Sequence, residues 1–327
     1  MKKFFALMLV LLLAMCLMVG CGEKEQEVDE NAEWAPTSPV TVIVAYKAGS
    51  GTDNTARVLT TYAEKYVGQS LVIENLEGGS GSIGWTALVN AEADGYTIGF
   101  VNLPTYFSNI AQGGVDYTAE SIVPICNHVN ETSVILVAAN SPFNTLEELV
   151  TYAQANPGVL KASTNGNQAS NHIGAQLFAS TAGFEYTAIP YGGTADQLLA
   201  LRQGEVDFSS AKFADFASFT SEVKVLGVMA TERMADHPEI PTLGELGYYD
   251  QWYGSARCIV APAGTPQNVI DFYEAAFKAA MEDADYLAAA TTASVTTDYM
   301  DAEALAGLLA AQNTFAMETV TALFPAE

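Results

Sequence analysis

The sequence predicts an α/β protein, with parallel sheets covered by helices and divided between two domains. Short apolar runs rich in Val and Ile alternate with stretches of helical period, the order that builds such sheets. Loops rich in Gly, Ser, Thr and Asn separate these runs from the helices that follow. About 290 residues remain once the N-terminal segments are set aside, a length that suggests two domains rather than one.

In chain order, Lys2 and Lys3 precede an unbroken apolar run from Phe4 to Val19. That run is short of the ~20 residues a spanning helix needs and has the build of a signal peptide. It ends in Met18-Val19-Gly20-Cys21, which fits a bacterial lipoprotein cleavage site. Residues 1–20 are therefore expected to be a lipoprotein signal peptide, with Cys21 as the lipidated N-terminus. Residues 21–39 are expected to be an acidic, flexible tether. The rest of the chain would lie outside the cytoplasm, anchored to the outer face of the cytoplasmic membrane.

The first α/β block opens with a buried strand, Val40 to Tyr46. A tight loop follows, and a helix is expected from Asn54 to Val67, with Ala56, Leu59, Ala63 and Tyr66 on one face and Gly68 as its stop. Leu71 to Ile73 reads as a second strand. The Gly78–Gly81 loop leads to a helix over Ile83–Ala93, and Asp94-Gly95 turns into a strand from Tyr96 to Val101. Ile122–Val129 and Ser133–Ala139 are expected as separate strands. A second block opens with the capping box Thr145-Leu146-Glu147-Glu148. Its strands are expected at Val159–Ala162, Tyr186–Pro190, Val206–Phe208 and Val223–Met229, and its later helices at Asn171–Thr181 and Thr194–Gln203. Two long Ala-rich helices, Gln267–Ala290 and Ala302–Leu323, are expected to end the chain.

Charge and composition exclude several functions. The formal net charge is −25. Removing residues 1–20 takes away two lysines and no acid, leaving a charge near −27, which argues against nucleic acid as a partner. Cys126, Cys258 and the three histidines show no metal-ligand spacing, so no metal or cofactor is expected. Cys126 and Cys258 stand in strand-like segments of a chain that meets an oxidising compartment. A disulfide and two separate buried thiols both remain open.

The candidate chemistry lies in the loops after strands. A helix N-terminus there offers unpaired amides and a positive dipole end, which together bind anions without a formal cation. Three such loops are prominent: Ala48–Asp53, Ser163–Gln168 and Tyr191–Thr194. Glycine admits close backbone approach, and Ser and Thr add hydroxyl donors.

The run Tyr46-Lys47-Ala48-Gly49-Ser50-Gly51-Thr52-Asp53, followed by Ala56-Arg57, resembles the first-loop signature of the tripartite tricarboxylate transporter receptors, the Bug-type or TctC-like solute-binding proteins. Ala48 and Ser50 replace that family's Pro and second Gly. Further blocks follow in the family's order: Gly79-Ser80-Gly81-Ser82-Ile83-Gly84, Asp94-Gly95-Tyr96-Thr97, Ser163-Thr164-Asn165-Gly166, Pro190-Tyr191-Gly192-Gly193 and Ala261-Pro262-Ala263-Gly264-Thr265-Pro266. The similarity spans about Val40 to Leu323.

The resemblance implies a type II periplasmic-binding-protein fold, two Rossmann-like lobes joined by two crossover strands. Lobe 1 would comprise residues 40–137 and 251–327, and lobe 2 residues 138–250. A small carboxylate would bind in the cleft and pass to a two-component membrane permease, the receptor acting as a monomer. The expected ligand-binding residues are Tyr46, Ala48, Gly49, Ser50, Gly51, Thr52, Asp53, Ser163, Thr164, Asn165, Gly166, Asn167, Gln168, Tyr191, Gly192 and Gly193. Asp53 is expected to orient its loop, because a carboxylate facing a carboxylate repels it. Arg57 and Lys212 are candidate counter-ions, Arg57 more naturally a helix-face residue, and His172 more naturally packs or caps. Three other readings compete. A sensing receptor would use the same cleft. A dinucleotide site at Gly79–Gly84 lacks a ribose-binding acid at the end of the next strand. An exported hydrolase lacks a nucleophile elbow.

Overall fold

The computed structural model describes residues 34–325. The expected signal peptide, Cys21 and residues 21–33 of the expected tether lie outside the described residues.

In chain order the strands are β1 (Val40–Val44), β2 (Leu71–Asn75), β3 (Thr97–Leu103), β4 (Ile122–Ala138), β5 (Lys161–Thr164), β6 (Thr187–Pro190), β7 (Phe208–Lys212), β8 (Val223–Val228), β9 (Gly254–Pro262) and β10 (Thr297–Met300). The principal helices are α1 (Gly51–Val67), α2 (Ser82–Val89), α3 (Thr105–Gln112), α4 (Leu146–Ala155), α5 (Ser170–Ala182), α6 (Thr194–Gln203), α7 (Gln267–Met281), α8 (Ala284–Thr292) and α9 (Ala302–Phe315).

Two sheets share β4. In the first, β1 lies parallel to β2 and β3, and β9 joins β3 to β4 in antiparallel pairing. In the second, β5 lies parallel to β6 and β7, while β7 and β8 pair antiparallel with β4. The change of sheet falls inside β4: Thr132 still pairs with Gly254 of β9, and Ser133 already pairs with Lys212 of β7. The two lobes of a type II binding-protein fold result, each with a parallel core. The parallel expectation therefore holds for these cores and fails for the strands that cross between them.

Local chemistry explains the helices. Along α1, Ala56, Leu59, Ala63 and Val67 recur at helical spacing and are buried. Full burial of a side chain such as Leu59 stabilises by about 1.5–3 kcal/mol. Gly68, at φ 76°, ends the helix in the left-handed conformation and donates its N–H to the Glu64 carbonyl. In α4, Thr145 Oγ1 accepts from the Glu148 N–H at 3.2 Å, and the Glu148 carboxylate accepts from the Asn144 N–H at 2.7 Å. The back-bond thus reaches one residue further than the capping box expects. Helices α1, α7 and α8 cover one face of the first sheet around Phe100, Tyr273 and Phe277. Trp85, Tyr106 and Phe107 pack on its other face, in a core that continues under α4 and α5.

Four expectations change. Asn130-Glu131-Thr132 does not break β4, because β9 pairs with that polar stretch throughout. The first C-terminal helix breaks at Asp283, whose carboxylate caps α8 through the Asp285 N–H. The disulfide alternative is not realised, and Cys126 and Cys258 are buried free thiols. They sit at neighbouring positions on paired strands but pack into cores on opposite sheet faces, and the Cys258 thiol donates to Asn127 Oδ1 at 3.3 Å. Finally, Trp34 and Thr37, expected in the tether, are packed onto the fold. The Trp34 indole packs against Tyr96, Phe272 and Tyr273 with ring centroids 5.4–6.1 Å apart, and Thr37 donates its N–H to the Tyr96 hydroxyl. Trp34→Ala should lower stability by about 1–3 kcal/mol, read as a lower urea midpoint at unchanged slope. An unchanged midpoint would show that this contact contributes nothing.

Candidate functional site

A cleft opens beyond the carboxyl ends of the parallel strands, where α/β sheets place ligands. The first lobe contributes the loop after β1, the start of α1, Asn102 at the end of β3, and Ser255 and Arg257 on β9. The second contributes Asn165, the starts of α5 and α6, Lys212 at the end of β7, and Asp215.

Three helix N-termini meet there: Gly51-Thr52 of α1, Ser170-Asn171 of α5 and Thr194-Ala195 of α6. Ser50 caps α1, its Oγ accepting from the Asp53 N–H at 3.2 Å. At α5 the Asn171 N–H donates to Asn165 Oδ1 at 3.2 Å, whereas Gly193, the residue before α6, supplies no side-chain acceptor. First-turn amides and three positive dipole ends, each near ~0.5 of an elementary charge, thus face one space.

Asp53 builds the first loop. Its buried carboxylate accepts from the Gly49 N–H at 2.8 Å, Arg57 Nε at 2.9 Å and Asn75 Nδ2 at 2.9 Å. Burial pushes its pKa upward, but Arg57, the Gly49 amide and Asn75 together outweigh burial and hold it below the ordinary value. Arg57 is committed to Asp53 and Asn75 and does not line the cleft.

Four charged groups lie at the base of the cleft. Arg257 Nη1 stands 2.5 Å from Glu131 Oε2, and both side chains are buried. Lys212 Nζ donates to Ser170 Oγ at 2.9 Å and to Asn171 Oδ1, while Asp215 Oδ2 accepts the Lys212 N–H at 2.9 Å. Burial lowers the Lys212 pKa to about 8 against the pull of Asp215 and Glu131, and burial raises that of Glu131 against the pull of Arg257. At the mouth, Lys47 Nζ reaches across to Asp196 Oδ2 at 2.9 Å.

Of the sequence-nominated residues, Tyr46, Gly49, Ser50, Gly51, Thr52, Asn165, Gly192 and Gly193 line this cleft. Ala48, Asp53, Ser163, Thr164, Gly166, Asn167, Gln168 and Tyr191 do not. Ser163 and Thr164 belong to β5, where Ser163 Oγ bonds Ser209 Oγ and Thr164 Oγ1 donates to the Gly166 carbonyl. The Asn167 carbonyl accepts from Ser80 Oγ, and the Gln168 N–H donates to His172 Nδ1 at 2.9 Å, so His172 acts as a loop acceptor. Tyr191 donates its N–H to the Thr164 carbonyl at 2.9 Å. Sequence reasoning missed Asn102, Ser170, Asn171, Ala195, Asp215, Ser255 and Arg257. One signal was present: Arg257 stands in a run that is otherwise small or apolar, Ser255 to Ala261, where an unpaired charge is costly.

A two-lobed fold whose cleft gathers three helix N-termini defines the class of solute-binding proteins. The chain belongs to the tripartite tricarboxylate transporter receptor family, whose model matches residues 55–320. The UPF0065 protein in the gbd 5'region of Cupriavidus necator is 30% identical over 299 residues, covering 89% of this chain and 86% of that one. A TctC solute-binding protein from Polaromonas superposes with a TM-score of 0.70 at 26% identity, covering 88% of this chain and 99% of its own. MatC from Rhodopseudomonas palustris, solved with bound malate, superposes with a TM-score of 0.79 at 25% identity, covering 87% and 99%. Family and fold are those of substrate-binding receptors rather than enzymes.

The depressed Lys212 pKa has a consequence for stability. The unfolded chain, titrating near the ordinary lysine value of 10.5, binds more protons than the folded one between that pH and about 8. The contribution of Lys212 to stability is therefore lowest below about 8 and rises toward 10.5. Urea titrations should show wild type gaining stability relative to Lys212→Met across that window. A flat difference would contradict the buried, uncomfortable ammonium.

Proposed function

We propose that this protein captures a small organic carboxylate in its interlobe cleft and delivers it to a two-component membrane permease of the tripartite tricarboxylate type. The observation that carries this reading is the convergence of the α1, α5 and α6 N-termini on one cleft, the last of them without a side-chain cap. A carboxylate supplies the acceptors these amides lack, and the dipoles favour its charge over that of a neutral solute. The malate held by MatC supports the same ligand class for this chain.

In this reading the carboxylate contacts the Gly51-Thr52 amides, Asn165 and the Gly193–Ala195 turn. Asp53 shapes the first loop from behind, and Tyr46 and Gly192 complete the walls. The first lobe comprises residues 40–137 and 251–327, and the second residues 138–250. The receptor acts as a monomer, held to the outer face of the cytoplasmic membrane by a lipid on Cys21, which keeps captured ligand close to the permease.

A thermal-shift screen of mono-, di- and tricarboxylates tests the proposal. Only the native state binds, so a true ligand at ~100 times its Kd stabilises by about 2.7 kcal/mol and raises Tm by several degrees. At least one carboxylate should do so. A panel of carboxylates that leaves Tm unchanged, while a neutral solute raises it, would overturn the reading.

A further inference from the structure

Resting on the carboxylate reading, the geometry points to Arg257 as a direct ligand contact, its guanidinium meeting the carboxylate at the N-terminus of α1, with Glu131 as the group that holds it there.

Arg257 lies on β9 and lines the cleft, only 4% exposed. Its Nη2 comes within 3.0 Å of the point where a Cβ on Gly51 would stand, with Asp215 Oδ1 3.3 Å from the same point. Gly51 is the first residue of α1, so the guanidinium lies against the helix end that presents its amides to the cleft. Any side chain at position 51 would come between them. Glycine here keeps a cation and a helix N-terminus in one site.

Arginine stays charged at any physiological pH and carries five donors in a planar fork. Arg257 Nη1 is committed to Glu131 Oε2 at 2.5 Å, while among the described residues Nε has no hydrogen-bond partner. A buried guanidinium with donors left over is expensive, because desolvation is repaid only when the donors are filled. The Nε–Nη2 edge, which carries the unpartnered Nε and the nitrogen beside Gly51 on a group that lines the cleft, fits the paired oxygens of a carboxylate. Lysine at this position would keep the charge but lose the fork. Glu131, opposite Ser255 on the paired strand, fixes the guanidinium from the side away from α1.

Isothermal titration of wild type, Arg257→Gln, Arg257→Lys and the double variant Arg257→Gln/Glu131→Gln with malate, succinate and adipate tests this. If wild type binds a carboxylate, Arg257→Gln should weaken it roughly tenfold to a hundredfold, the range for a lost hydrogen bond to a charged group. Arg257→Lys should recover only part of that loss. The double variant removes the stranded acid and should regain ligand-free Tm without regaining affinity, a split that a merely structural ion pair does not produce. Should the single variant fail to fold, the ¹⁵N–¹H signal of the Arg257 Nε in wild type gives the answer: it should shift on saturation with the carboxylate. Wild-type binding with normal affinity in Arg257→Gln, or an Nε signal that does not move, overturns the role of Arg257 alone. Failure of every carboxylate to bind wild type overturns the functional reading and this proposal with it.

Discussion

Between Ile122 and Thr132, β4 is laddered to β9, and from Ser133 onward the same strand is built into the second sheet. Both lobes therefore hang from one continuous piece of backbone, and the carboxyl ends of their parallel strands open into one cleft. Glu131 and Arg257 sit on this ladder, near the point where β4 changes sheets. An acid and a base buried there are tolerable only as a pair, since either alone would be an uncompensated charge in a dry place. The crossover strands thus fix the geometry of the cleft and carry part of its charge.

A chain with a net charge of −25 holding an anion is a matter of distance. Exposed acids are screened within about 8 Å at physiological ionic strength, whereas buried amides and dipoles act on a bound group at contact. The two buried cations of the cleft base, Arg257 and Lys212, are matched by Glu131 and Asp215. That cluster adds no formal net charge, so in the proposed reading the attraction for a carboxylate comes from the helix ends and from the cleft-facing donors of its cations. Acids elsewhere on the surface favour solubility without setting the chemistry of the site.

The α/β class, most of the order of elements and the placing of the glycine loops after β1 and β6 at helix starts along the cleft were legible in the sequence, because apolar strand runs, glycine loops and helical periods alternate along it. What failed to show had physical reasons. Gly51, Thr52 and Asp53 looked like loop residues, yet Ser50 caps the helix and draws them into its first turn. Ser163 and Thr164 looked like ligand hydroxyls, yet they end a buried strand and spend their hydroxyls on neighbours. The polar Asn130-Glu131-Thr132 looked like a turn because nothing local reveals that β9 pairs with it. Ser170, Asn171 and Asp215 reach the cleft through tertiary packing, which a single sequence does not encode locally.

In the proposed reading, recognition depends on the carboxylate charge itself. It is tested most directly by titrating the protein with the best-binding dicarboxylate and then with its dimethyl ester, which keeps the carbon skeleton and most acceptors but removes both charges. The account predicts measurable binding of the acid and a loss of at least about a hundredfold for the ester, since charge-assisted bonds to amides and cations all weaken together. Equal affinity for acid and ester would contradict it, and would mean that shape and neutral hydrogen bonding govern the cleft.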